Sequence, residues 1–228
     1  MGVARERFTG YSEHTDAIFE AALEKLREAG AILVDPADIP TAKELTERPP
    51  TVLDYEFKAD LNAYLATRPD LAVHSLADVI AYNQAHAAEE MPYYRQEIME
   101  RAEATAGLDD PAYLEALATN QRLAREEGID AALQAHDLDA LVAPTNAPAF
   151  TIDQINGNRG LGGSSTPAAL AGYPLVTVPA GYAFGLPVNI TFMGTAFSEP
   201  TLIRLAYAFE QHTKVWQPPQ FIPTLELP

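Results

Sequence analysis

Two serines stand in a glycine-rich segment whose composition permits nucleophilic or anion-binding chemistry. The run Gly162-Gly163-Ser164-Ser165 places hydroxyl groups beside glycines, whose backbone N–H groups can face an anion. A serine becomes a nucleophile only when a neighbouring base takes its proton. The segment continues directly into Thr166-Pro167, and Pro167 is expected to open a short helix. We therefore favour a loop or binding role for Ser164 and Ser165.

The rest of the chain offers no obvious base or metal ligand set for such a serine. The four lysines lie in charged or polar stretches where water keeps an amine protonated; they are Lys25, Lys43, Lys58 and Lys214. The five histidines are scattered, and no two have the i, i+4 spacing that places ligands on one helix face. Cysteine is absent, which removes thiol nucleophiles and zinc–thiolate sites. We expect no catalytic residue, metal or cofactor within this chain.

The net charge and the hydropathy of the chain exclude some classes of binding partner. The chain carries 32 acidic and 15 basic residues, a formal net charge of −17. Such a surface repels phosphate backbones and anionic lipid, so we expect neither nucleic-acid nor membrane binding. No apolar run approaches the roughly 20 residues of a membrane span, and residues 1–7 lack the features of a secretory leader. A cytoplasmic location is the prediction.

The first elements have the helix–glycine–strand order of an α/β layer. Apolar residues at three- and four-residue spacing predict an amphipathic helix over 13–29, with Ser12 as its cap. Gly30 supplies the left-handed stop. Residues 31–34 (Ala-Ile-Leu-Val) follow as a predicted buried strand. This order favours a sheet flanked by helices.

The middle of the chain is predicted to be a helical insertion over about 43–136. Its clearest helix starts at Asp110-Pro111, with the aspartate as cap and proline at the first helical position. Gly128 weakens that helix near its end. Residues 216–228 form a Pro-rich tail. Because no segment reads as a long linker, we predict one unit over 1–228.

Three segments of the last third are short apolar strands punctuated by Gly and Pro. They are 139–145 (Asp-Ala-Leu-Val-Ala-Pro-Thr), 171–181 (Ala-Gly-Tyr-Pro-Leu-Val-Thr-Val-Pro-Ala-Gly) and 185–194 (Gly-Leu-Pro-Val-Asn-Ile-Thr-Phe-Met-Gly). Their order and spacing resemble the closing half of amidase-signature hydrolases. The resemblance implies an α/β fold with a mixed β-sheet flanked by helices, and hydrolysis of amide C–N bonds by the full-length enzymes.

The likeness covers roughly the C-terminal half of the family. Members use a Ser–cis-Ser–Lys triad, borne on a Gly-Ser-Ser-Gly-Gly loop and an Asp-x-Gly-Gly-Ser stretch. Here Ser165 is followed by Thr166, and no Gly-Gly-Ser-Ile/Val-Arg stretch occurs. No triad residue carries over. By analogy with the family, the residues that would line a wall of the substrate pocket are Thr145, Asn146, Ser164, Ser165 and Met193.

Two functions follow from this resemblance. The first is the C-terminal portion of an amidase, inactive alone, which contributes sheet and pocket wall for a small-molecule amide. The second is a non-catalytic interaction module whose exposed edge seeks an N-terminal half or a second copy of itself. A third and more remote hypothesis is an unrelated serine hydrolase that uses Ser164 or Ser165.

Overall fold

The computed structural model describes residues 1–221. Their contacts group the chain into two compact units. The first unit holds Met1–Glu47, Asn120–Thr151 and the chain from Arg159 onward; the second holds Arg48–Thr119 and Ile152–Asn158. No helix in this described part is long and apolar enough to cross a membrane.

A four-stranded mixed sheet forms the centre of the first unit. Its strands are β1 (Gly2–Val3), β2 (Leu141–Pro144), β3 (Leu175–Ala183) and β4 (Leu186–Met193). The spatial order is β1-β2-β4-β3, with β1 parallel to β2 and the other two pairings antiparallel. The prediction of an α/β fold with a mixed sheet is confirmed.

Helices of the first unit lie on both faces of this sheet. Their bounds are α1 Glu13–Glu28, α2 Ala42–Thr46, α8 Asp130–Ala135, α9 Thr166–Ala171 and α10 Glu199–Thr213. The second unit contains α3 Thr51–Ala66, α4 Leu76–Ala85, α5 Ala87–Glu90 and α6 Glu97–Glu103. Helix α7 (Pro111–Ala124) begins in the second unit and ends in the first, where a π-helical turn (Arg125–Ile129) joins it to α8.

Two apolar clusters fill the space between the sheet and its helices. One cluster joins Val142 and Phe192 of the sheet to Phe19 of α1 and Phe209 of α10. The other cluster lies on the opposite face of the sheet and contains Met193 together with residues of α2, α8 and α9. Alternate residues of β2 and β4 enter different clusters, as the two-residue period of a strand requires.

The boundaries of α1 agree with the sequence prediction, but the strand predicted after it is wrong. Ser12 accepts a hydrogen bond from the Thr15 amide at 3.3 Å, and Gly30 has φ +92°. Within 31–34, only Val34 joins the sheet, through an isolated parallel bridge to Gly2. The segment still runs beside β1: the Met1 ammonium donates to the Ile32 carbonyl at 2.8 Å and the Val34 amide donates to the Met1 carbonyl at 3.0 Å. It is not the buried strand predicted, because its partner β1 has only two residues and Ile32 is 83% exposed.

Every element described between Ala42 and Ala135 is helical. Whether the whole chain acts as the single unit predicted from its sequence stays a prediction. Residues 216–221 of the predicted Pro-rich tail carry no helix or strand, and 222–228 lie outside the described residues.

The π-helical turn depends on a glycine that has no room for a side chain. A Cβ on Gly128 would overlap the Leu123 carbonyl oxygen and lie 3.0 Å from the Thr41 hydroxyl. That hydroxyl donates to the same Leu123 carbonyl at 2.7 Å. Gly128 therefore allows the turn and α2 to approach closely.

We expect Gly128→Ala to lower the free energy of unfolding by about 1–3 kcal/mol, because the added methyl group must push backbone aside. Gly160→Ala is the matched control, since nothing lies within 4 Å of a Cβ at that position. Urea denaturation followed by circular dichroism measures both changes. Equal effects of the two substitutions would contradict the steric account.

Candidate binding surface at the carboxyl ends of β1 and β2

The loops that follow the two parallel strands meet at one edge of the sheet. Parallel strands place their carboxyl ends together, where open α/β sheets form binding crevices. The loop after β1 carries Tyr11 and the loop after β2 carries Gly162, and a Cβ on Gly162 would lie 2.6 Å from the Tyr11 ring. The absence of a side chain at Gly162 is what permits this contact.

The glycine-serine segment folds back alongside the end of β2. Gly163 forms an isolated antiparallel bridge with Asn146, and the Ser164 amide donates to the Thr145 carbonyl at 3.0 Å. The Thr145 amide in turn donates to the Asn189 carbonyl at 2.8 Å. Backbone hydrogen bonds thus bring residues distant in the sequence into one row.

Three threonine hydroxyls form a hydrogen-bonded group beside this row. The Thr145 hydroxyl lies 2.8 Å from that of Thr177 and 2.6 Å from that of Thr191. Thr191 is fully buried, whereas Thr177 is exposed. The group therefore reaches from the core to the surface. We call it the threonine cluster.

Several buried polar atoms near these loops have no hydrogen-bond partner within residues 1–221. They are the hydroxyls of Tyr11, Thr15 and Ser164 and the Asn189 side-chain oxygen. Ser164 is only 1% exposed, so its hydroxyl has lost water without gaining a protein partner. Burial raises the pKa of Tyr11 to about 12, with a smaller contribution from the Asp16 carboxylate. Its phenol is therefore neutral at physiological pH.

The structure separates the five residues predicted to line a pocket wall. It brings together Thr145, Asn146 and Ser164 through the contacts above. Ser165 is exposed and precedes α9 without a side-chain cap bond. Met193 is fully buried within the apolar cluster that also contains Ala143.

Sequence reasoning missed Tyr11, Thr177 and Asn189. A signal for Asn189 was present, because it stands two and four residues before Thr191 and Met193 in the predicted strand and so shares their face. No local pattern marks Tyr11, whose partner Gly162 is far away in the sequence.

The surface offers neutral hydrogen-bonding groups, and the lysines are engaged or exposed elsewhere. Lys25 pairs with Glu28 at 2.7 Å, and Lys58 donates to the Glu103 carbonyl at 2.6 Å. Lys43 and Lys214 are exposed. Among the described residues, no group of three His, Asp or Glu side chains could hold a metal ion. The arrangement is suited to binding an uncharged polar group.

Comparison with known proteins agrees with this architecture. The family model Amidase matches residues 1–203. The "Probable amidase" of Arabidopsis thaliana is 37% identical over 213 residues, which cover 90% of this chain and 38% of the relative. A glutamyl-tRNA(Gln) amidotransferase subunit of Moorella thermoacetica is 30% identical over 221 residues, or 94% of this chain and 44% of that protein. The chain thus spans less than half the length of these relatives.

Solved structures give the same result. A peptide amidase in complex with the competitive inhibitor chymostatin superposes with a TM-score of 0.89 at 47% identity, covering 96% of this chain and 44% of that one. The native peptide amidase of Stenotrophomonas maltophilia gives a TM-score of 0.82 at 49% identity, covering 90% and 41%. From its sequence match and its fold, the chain belongs to the Amidase family of amidase-signature hydrolases.

Proposed function

We propose that this chain is the C-terminal portion of an amidase-type hydrolase and is inactive by itself. The observation that carries the proposal is a family match over residues 1–203 by a chain that covers only 38–44% of its relatives. In this proposal the chain completes the sheet and supplies one wall of the substrate pocket. Attack on the amide and proton transfer belong to residues outside these 228.

The proposed pocket wall consists of Thr145, Asn146, Ser164 and Ser165. Met193 is fully buried and pairs with Leu141 at the opposite end of β2, so it lies away from these four residues. Hydroxyl and carboxamide groups can pair with the C=O and N–H of a substrate amide without needing a charge on it. The high identity to peptide amidases supports an amide of a peptide as the substrate class. Cytoplasmic location is part of the same proposal.

We expect the purified chain to leave simple aryl amides unhydrolysed, because neither serine of the wall has a base beside it. Release of the aryl amine, followed by absorbance, is the measurement. Ser164→Ala and Ser165→Ala are the controls that separate true turnover from contamination. If the chain hydrolyses an aryl amide and either substitution abolishes that activity, the proposal is wrong and an independent serine hydrolase is favoured.

A second candidate function is an assembly module that needs a partner polypeptide. Two observations favour it: β3 is the last strand of the described sheet on its side, and buried polar atoms near the loops have no partner. An open sheet edge readily pairs with another strand. The partner we propose is the part of an Amidase-family protein that precedes the matched region, in the same polypeptide or in a separate one.

We expect mixing with that preceding part of the Stenotrophomonas maltophilia peptide amidase to give a 1:1 complex that hydrolyses peptide amides. Light scattering measures the mass and product release measures the activity. The peptide amidase segment alone is the control. If the chain remains a monomer in the mixture and no peptide amide is hydrolysed, the assembly function is contradicted.

The buried hydroxyls allow a matched stability test. We expect Ser164→Ala to raise the free energy of unfolding of the isolated chain by about 1 kcal/mol, because it removes an unsatisfied polar group. Thr191→Val should lower it by about 1 kcal/mol, because the Thr191 hydroxyl is bonded to Thr145. Urea denaturation measures both. A loss of stability in Ser164→Ala equal to that in Thr191→Val would show that the Ser164 hydroxyl is already paired.

A further inference from the structure

The second unit contains a cavity that the proposed function does not use. Its volume is about 550 Å³, and every residue that lines it belongs to that unit. The apolar lining comes from α3 and from the segment 91–99: Leu53, Phe57, Met91, Tyr94, Ile98 and Met99. We propose that this cavity binds one small, uncharged aromatic molecule. The site goes beyond the amidase role and does not depend on it.

The two buried polar side chains of the lining, Asp54 and Gln96, already have hydrogen-bond partners. Asp54 and Gln96 are each 7% exposed. Asp54 accepts two hydrogen bonds from Arg101, at 2.6 and 3.0 Å. The Gln96 side-chain oxygen accepts from Asn83 at 3.1 Å, and its amide donates to the Ile80 carbonyl at 3.3 Å. These two groups have little hydrogen-bonding capacity left, so the buried part of the lining offers a ligand mainly apolar contact.

The apolar walls are unusually open to water. Leu53 is 66% exposed and Ile98 is 60% exposed. Contiguous exposed apolar patches mark interaction or ligand-binding sites. Two methionines add soft, adaptable surface that suits an aromatic ring. Tyr94 is held in place because its hydroxyl donates to the Asp153 carbonyl at 3.2 Å.

Size and charge select the occupant. Small-molecule sites usually enclose about 300–1,000 Å³, so the cavity is suited to a molecule of two or three rings. Glu90 and Glu97 line it together with a single cation outside the Asp54–Arg101 pair, Arg95. The chain as a whole carries −17. Anions are therefore disfavoured. Half of the lining residues are apolar, and a cation would lose hydration against them, so an uncharged ligand is the best match.

Fluorescence titration with two related probes tests the site. N-phenyl-1-naphthylamine is uncharged, and 1-anilinonaphthalene-8-sulfonate carries the same ring system with a negative charge. We expect the neutral probe to bind at one site per chain and the anionic probe to bind at least tenfold more weakly. Equal affinities would overturn the proposal, because they would indicate general apolar exposure instead of a charge-selective site.

Substitutions locate the probe. We expect Ile98→Glu and Met91→Glu each to weaken binding of the neutral probe at least tenfold. Leu114→Glu is the matched control, since Leu114 is 50% exposed on α7 and does not line the cavity. Circular dichroism confirms that each variant is folded. Equal weakening by the control would overturn the assignment, and so would probe binding that disappears as the protein is diluted from a dimer to a monomer.

Discussion

The burial of β2 on both faces is the constraint on which the first unit depends. All four of its residues are buried, and Leu141, Val142 and Ala143 alternate between the two apolar clusters. The same strand is hydrogen-bonded to β1 on one side and β4 on the other. Removing either cluster would leave an apolar face of β2 in water, so helices on both sides of the sheet pack against this one strand. The end of β2 also fixes Thr145, the first residue of the candidate surface.

The position of α9 shows how the surface is held from a distance. Arg125, in the π-helical turn, donates to the Ala171 carbonyl at 2.7 Å, and its guanidinium lies over the Tyr173 ring. The Tyr173 hydroxyl donates to Asp130 at 2.8 Å, and the Thr195 hydroxyl donates to the same carboxylate at 2.7 Å. These contacts fix the C-terminal end of α9. Its other end, next to Ser164 and Ser165, is positioned as a consequence.

Much of the fold could be predicted from the sequence because the relevant signals are local. Ser12 and Gly30 bound α1 through their own backbone and side-chain chemistry. Residues 31–34 misled because their apolar composition is typical of a buried strand, while the segment pairs only with the two-residue β1 and leaves Ile32 83% exposed. The strand propensity of a residue depends on how its side chain packs against neighbouring strands and helices, and those neighbours are distant in the sequence.

The candidate site was less accessible to sequence reasoning because long-range contacts build it. In the sequence, Gly162 indicates only a flexible loop. In the structure, its lack of a side chain leaves room for the Tyr11 ring. The row that joins Ser164, Thr145 and Asn189 is made by backbone bonds between segments far apart in the sequence. Met193 could be assigned to a strand, but only the packing of α8 and α9 shows that its side chain is in the core.

The unsatisfied polar atoms connect structure to the proposed role. Each buried group without a partner costs about 1–3 kcal/mol, a large amount against the stability of a typical domain. The four such atoms found in residues 1–221 belong to the loop after β1 with the start of α1, the loop after β2, and β4 where it pairs with Thr145. In natural proteins, buried polar groups without a hydrogen-bond partner are expected chiefly at functional sites. A surface completed by further polypeptide or by an amide substrate accounts for this distribution, because those partners would supply the missing hydrogen bonds.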